Sequence, residues 1–401
     1  MKHHGLFSLY SVSVLIAMFV AYYVSLLLGF LIFVVITLIS KRVSTVGYVF
    51  LILLLGVISF TNYSDATQGN YDIVRYYDYW RLLQEAENIG QAAVVIYSFR
   101  GDYLFYYTEW IFCLVFPEDP RWFGFIFTSL TSFFIFLSLR NLANSEGIPE
   151  LLKDRKTLLF FIAGFFCIIR FYDFTNAVRQ HFAFSLLLYF MTLNVSLKKK
   201  TPLMLLTVGY HWTCLLVLLS YLLVNTFYKK SNFYNLLIIA LSIGLITTPL
   251  FVNLLGNFDY AISYLQGNSL GVDRKIMVIV FVTALLISKI VVAERLTTNT
   301  KNITLSLSII ALLFITHSTI IIRLAYNWTD FLTAISPLLF FVTLGKKHTS
   351  SQYKLYIAWG LFVIYNIMTI GRGEFEYMLF TSYGVMMPVQ SVLFSQIPTG
   401  I

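Results

Sequence analysis

The chain has 401 residues, 58% of them apolar and 12% charged, with a mean hydropathy of +0.78 and a formal net charge of +9. A soluble domain carries about a quarter charged residues, so a soluble enzyme, a nucleic-acid-binding module and a single-anchor receptor are excluded. Apolar stretches long enough to cross or nearly cross a bilayer recur from end to end. They are apolar on every side, without the two-residue alternation of an outer-membrane barrel, so the expected fold is an all-α, polytopic transmembrane helical bundle forming one integral membrane domain over 1–401.

In chain order, 6–22 and 24–40 form a helical hairpin that starts inside. It is read as retained membrane helix, because no small-residue cleavage signature is present. Residues 44–62 run out, and 63–121 make a large outer loop, polar over 63–102. Its last part, 103–117, is apolar but short and is closed by Pro117-Glu118-Asp119-Pro120. A full span there would place the basic cluster from Arg140 to Lys156 outside, so a re-entrant or interfacial segment is expected. The chain returns through 122–140, goes out over 157–172, turns at 173–180 and comes back over 181–197 to Lys198-Lys199-Lys200.

The stretch between Lys200 and Lys229 is basic at both flanks and broken at Gly209-Tyr210-His211, so it must go out and come back. Each arm is about 13 residues, roughly 20 Å of helix, shorter than the roughly 30 Å hydrocarbon core. Its turn is therefore expected within the membrane, in a cavity open to the outer side, with His211 at the floor. Spans at 232–253, 276–293, 303–322, 330–345 and 353–370 follow, with a second outer loop at 254–275. The last apolar stretch, 377–395, either spans or packs at the outer surface, for a total of about 13 or 14 spans.

Basic clusters at Lys41-Arg42, Arg140 to Lys156, Lys198 to Lys200, Lys229-Lys230, Lys289 to Lys301 and Lys346 to Lys354 mark the inner face. The pI near 9.2 thus reports orientation, not nucleic-acid binding. The outer basic residues are of another kind: Arg75, Arg81, Arg100, Arg121, Arg170, Arg179, Arg274, Arg323 and Arg372, with Lys275. Solvating a face needs only charge, which lysine supplies; arginine's planar fork grips phosphate oxygens two at a time. Snorkelling, or pairing with outer acids, is the competing reading. Cys113, Cys167 and Cys214 lie far apart in apolar runs with no CxxC spacing, which argues against a disulfide framework and a structural zinc site.

Ionisable groups at span ends are candidates for function because burying them is costly. Arg170 and Arg179 flank the short outer turn, Arg323 and Arg372 close outward spans, and Arg75 sits in the first loop. Guanidinium groups converging on one outer cavity would bind an anion, with phosphate or pyrophosphate the natural ligand. His211, at a broken-helix tip, is placed to contact substrate or handle a proton. Asp72 lies among Tyr71, Tyr76, Tyr77 and Tyr79, an arrangement that suits either holding a sugar ring or deprotonating a hydroxyl. No internal repeat supports an inverted-repeat transporter.

Three stretches together carry a resemblance. They are Asn70-Tyr71-Asp72 with Tyr76, then Asn176-Ala177-Val178-Arg179-Gln180 followed by Phe182-Ala183, and the lysine run 198–200 leading into Gly209-Tyr210-His211-Trp212-Thr213. In order, spacing and membrane context the chain resembles the EpsG/Wzy group of bacterial polysaccharide (O-antigen) polymerases over about residues 60–230. The resemblance implies a GT-C-like glycosyltransferase architecture in the bacterial inner membrane, with its outer loops and active site facing the periplasm. It implies undecaprenyl-pyrophosphate-linked oligosaccharides as substrates among the membrane lipids. A chain-length regulator and a flippase are the implied partners, and no nucleotide sugar, metal or nucleic acid is needed. Arg179 would bind pyrophosphate with Arg170, Arg323 and Arg372 assisting; Arg75, Tyr76 and Gln180 would complete the binding set. Asp72 and His211 compete for the role of base or acceptor-orienting group. An O-antigen ligase that passes the same donor to lipid A core, or a lipid-linked glycan flippase, is the alternative.

Overall fold

The computed structural model describes residues 72–99, 101–146, 177–227 and 296–313, with positions 32, 35, 49, 52, 53, 55–57, 59 and 60. Every regular element among the described residues is an α-helix. We number them α1 (Asp72–Gln84), α2 (Ile89–Ser98), α3 (Tyr103–Cys113), α4 (Arg121–Ser145), α5 (Val178–Thr192), α6 (Leu197–Tyr210), α7 (Cys214–Phe227) and α8 (Thr298–Leu313). The span count, the second outer loop at 254–275 and the C-terminal stretch fall outside the described residues.

The segment read as a polar loop over 63–102 is helical where it is described. In α1 the residues Tyr76, Tyr77, Trp80 and Leu83 recur at three- and four-residue spacing and are buried, with Arg75, Asp78 and Arg81 exposed opposite them. That is an amphipathic helix, whose charges lie away from the core and whose aromatics face it. α2 starts at Asn88, whose Oδ1 accepts from the Gln91 backbone N–H at 3.0 Å, while the Gln91 side chain accepts from the Glu87 backbone N–H at 2.8 Å. The first bond satisfies one of the donors that a helix start leaves open, and the second fixes the residue just before the cap.

α3 is 11 residues, about 16 Å long, too short to cross a bilayer. The helix thus has the length expected of a re-entrant or interfacial segment. α4 is long and apolar enough to span, with Arg121–Leu142 at a hydropathy of 1.8. It starts where Asp119 accepts from the Arg121 backbone N–H at 3.0 Å and from its side-chain Nε at 2.7 Å, and the Arg121 guanidinium lies 4.6 Å above the Phe60 ring.

α1 to α4 and the start of α5 close around one aromatic core. Tyr76 stacks on Phe123 at 5.1 Å between ring centres, Phe105 meets Phe127 at 4.6 Å, and Phe127 meets Phe182 of α5 edge-on at 5.3 Å. Such pairs contribute about 0.5–1.5 kcal/mol each beyond the area they bury. Phe123 contacts Tyr76, Tyr77, Trp80, Phe105 and Phe127 and is fully buried. Phe123→Ala is therefore expected to destabilise the protein by about 3–5 kcal/mol, read from its unfolding transition in detergent; a cost below about 1 kcal/mol would mean this core does not hold the fold.

α5 packs along α4 and α6, α6 and α7 are consecutive neighbours, and α7 lies against α8. The break between α6 and α7 falls at 211–213, as the Gly-Tyr-His stretch predicts. α5 and α6 are joined by the link 193–196, so they run antiparallel and bring the start of α5 and the end of α6 to the same end of the pair.

Candidate active site

Arg179 enters from the first turn of α5. Its Nε donates to the Tyr76 hydroxyl of α1 at 2.8 Å, and its Nη1 donates to the Tyr106 hydroxyl of α3 at 2.8 Å. The same Nη1 lies 3.0 Å from Oδ2 of Asp102. Both tyrosine rings also face the guanidinium, at 5.3 and 5.4 Å from its carbon. Burial alone would disfavour the charged guanidinium; the Tyr76 and Tyr106 oxygens and the Asp102 carboxylate outweigh it and hold Arg179 above its ordinary range. The guanidinium is thereby held through Nε and Nη1, and among the described residues these two atoms make its hydrogen bonds.

Asp102 is held in an unusual way. It stands at the start of α3 with φ 51° and ψ 37°, after Gly101 at φ 88°. Left-handed backbone is uncommon for a non-glycine residue, and aspartate is among those that tolerate it best. Its side chain does not cap the helix it precedes. Instead Oδ2 reaches Arg179 and, at 3.9 Å, Nε2 of His211. His211 ends α6 in extended backbone, is buried, and has Nδ1 2.7 Å from Oγ1 of Thr213. Thr108 of α3 donates to the Tyr210 hydroxyl at 3.1 Å, which ties the end of α6 to the helix that carries Asp102.

Asp102, Tyr106 and Glu109 are spaced i, i+4, i+7, and so share one face of α3. Glu109 lies one turn beyond Tyr106, is fully buried, and among the described residues neither carboxyl oxygen has a hydrogen-bond partner. Burial pushes its carboxyl well above the ordinary 4.5, and the nearby positive charge of Arg179 only partly offsets this. A folded value raised above the unfolded one favours folding fully below pH 4.5, an advantage lost as pH climbs through the folded value. Wild-type stability should therefore decline as pH rises, and Glu109→Gln should remove that dependence. Melting temperature against pH checks it; parallel curves for the two proteins would show Glu109 does not titrate in the fold.

Of the residues singled out in the sequence, the structure brings Arg179, Tyr76 and His211 to one place, with Arg75 exposed and its guanidinium 5.8 Å from the Tyr76 ring. Tyr76 is itself buried and spends its hydroxyl on Arg179, and Gln180 points into the buried side of α5. Asp72 opens α1, but its side chain lies outside the described residues, as do Arg170, Arg323 and Arg372. Asp102, Tyr106 and Glu109 were not singled out. Their i, i+4, i+7 spacing behind Gly101 was the available signal, hidden because the apolar residues between them read as membrane-facing.

No curated protein and no solved structure matches the chain. The model of the EpsG family, whose members are membrane proteins, matches residues 66–383, which include Arg179, Asp102 and His211. That match covers most of the 401 residues, and the chain belongs to the EpsG family, the family of Wzy-type polysaccharide polymerases.

Proposed function

We propose that this protein polymerises undecaprenyl-pyrophosphate-linked oligosaccharide repeats at the periplasmic face of the bacterial inner membrane. The observation that carries this reading is the clamped Arg179 beside a carboxylate and an imidazole. The terminal hydroxyl of one lipid-linked repeat attacks the anomeric carbon of another. A new glycosidic C–O bond forms, the bond from that carbon to the pyrophosphate oxygen breaks, and undecaprenyl pyrophosphate leaves with the electron pair.

The leaving group gains negative charge as the bond breaks, and the fixed positive charge of Arg179 stabilises that charge more in the transition state than in the ground state. Open backbone N–H groups of the first turn of α5 add to the same field. The 3.9 Å between Nε2 of His211 and Oδ2 of Asp102 is too long for a direct hydrogen bond. A hydroxyl oxygen placed about 2.8 Å from each atom fits that gap. The acceptor hydroxyl is thereby oriented toward the anomeric carbon, and its proton passes to the pair. Asp102 thus joins His211 and Asp72 as a candidate for the base, and Arg170, Arg323 and Arg372 remain as further pyrophosphate ligands.

The test is the purified full chain in nanodiscs, supplied with its organism's own undecaprenyl-pyrophosphate repeat unit, with products resolved on a gel. A ladder of lengthening products supports polymerisation. Intact, folded protein that yields no ladder overturns it.

A further inference from the structure

The lysine run 198–200 reads as a solvated inner-face cluster, but its three members are not alike. Lys198 and Lys199 are exposed, whereas Lys200 is 5% exposed. Its Nζ donates to the Met191 carbonyl at 2.9 Å, to the Tyr221 hydroxyl at 2.7 Å and to Oδ1 of Asn299 at 3.2 Å. An ammonium has three N–H donors, and these are matched by three acceptors, on α5, α7 and α8. Tyr221 also donates to Asn299 at 2.7 Å, and Nδ2 of Asn299 donates to the Met191 carbonyl at 3.1 Å, which closes the network. The lysine sits where the last carbonyls of α5 carry partial negative charge.

We propose that Lys200 is a positioning residue: it pins the far ends of α5 and α6 so that Arg179 and His211, at their near ends, meet Asp102 in register. The proposal rests on the polymerase reading above for its effect on turnover. Arg179 lies 12 residues before Met191, and His211 lies 11 residues after Lys200, about 18 and 16 Å of helix. Two rods of nearly equal length, tied at one end, have their other ends set level. The tie matters more because Pro202, inside α6, lacks the backbone N–H that would bond back to residue 198.

The network is poorly suited to adding stability. Burial lowers the Lys200 ammonium from 10.5 to about 8, so the fold works against the charge it encloses. Without the ammonium, Tyr221, Asn299 and the Met191 carbonyl still bond to one another, so no acceptor is orphaned. A methionine, similar in length and apolar, should therefore be accepted by the fold. What it cannot do is tie α6 to those three helices.

The experiment compares wild type with Lys200→Met, using Lys198→Met and Lys199→Met as controls, in full-length protein in nanodiscs. Lys200→Met is expected to melt no lower than wild type and to lose kcat roughly 10- to 100-fold, with KM for the lipid-linked repeat within about twofold. On a His211→Gln background it should cost nothing further. The imidazole titration of His211, assigned by NMR from the signal that His211→Gln removes, should shift in Lys200→Met and stay put in both controls. A folded Lys200→Met with wild-type kcat and an unchanged His211 titration overturns the proposal, as does a kcat loss that only follows a lowered melting temperature. If Lys200→Met does not fold, Tyr221→Phe withdraws one acceptor and carries the same readouts. The NMR arm needs no turnover, so absence of a ladder from wild type sinks the polymerase reading and leaves this inference to be judged separately.

Discussion

Arg179→Lys is expected to lower kcat about 10²–10³-fold in a protein that still folds. Lysine keeps the charge, so an ordinary electrostatic role would survive the exchange. What lysine cannot reproduce is the planar spread of donors within the guanidinium: Nε and Nη1 each give 2.8 Å bonds to hydroxyls on two different helices. An ammonium on a flexible stem offers three donors from one atom and cannot hold Tyr76, Tyr106 and an anion in one fixed plane. The rate of undecaprenyl pyrophosphate release measures the effect, with a melting curve as the check on folding. Wild-type turnover in Arg179→Lys would mean that positive charge alone suffices, and would remove the need for a planar guanidinium here.

His211→Gln and Asp102→Asn should each lower kcat about 10²–10⁴-fold, the range for losing a positioned base. The double variant should be no slower than the worse single one, because the two groups act as a unit on one proton. Asp102→Asn carries a second signature. It removes the carboxylate 3.0 Å from Arg179, so the donor pyrophosphate competes with one fewer anion and its KM should fall. Losses that multiply in the double variant would assign the two residues to separate steps. An unchanged rate in both singles would return the role of base to Asp72.

The global character of the protein was legible in composition. An apolar chain with few charges cannot solvate itself and has to be helical where lipid surrounds it, since backbone groups must bond within their own segment. The break at His211 was legible too, from the length of the apolar arms between two basic flanks. Arg179 and His211 stood out because a charged or titratable group at a helix tip is costly and needs a reason.

Other features were readable but overridden. The α1 pattern Tyr76, Tyr77, Trp80, Leu83 is helical, yet the charges between those positions made the segment read as loop. Lys200 looked like its two neighbours, because a sequence shows charge but not which lysine of three turns inward.

Composition and the length of the apolar runs are enough to make this chain a helical membrane protein. Its membrane nature follows from the sum over many residues, which no single contact can reverse. Packing makes Asp102 the carboxylate facing Arg179 and His211, sets Tyr106 and Tyr76 on the guanidinium, and turns Lys200 of α6 toward α5, α7 and α8. The difference is one of range. Burial and helix formation follow from local pattern, whereas these contacts join residues tens of positions apart, and their geometry is set by how α1, α3, α5 and α6 pack.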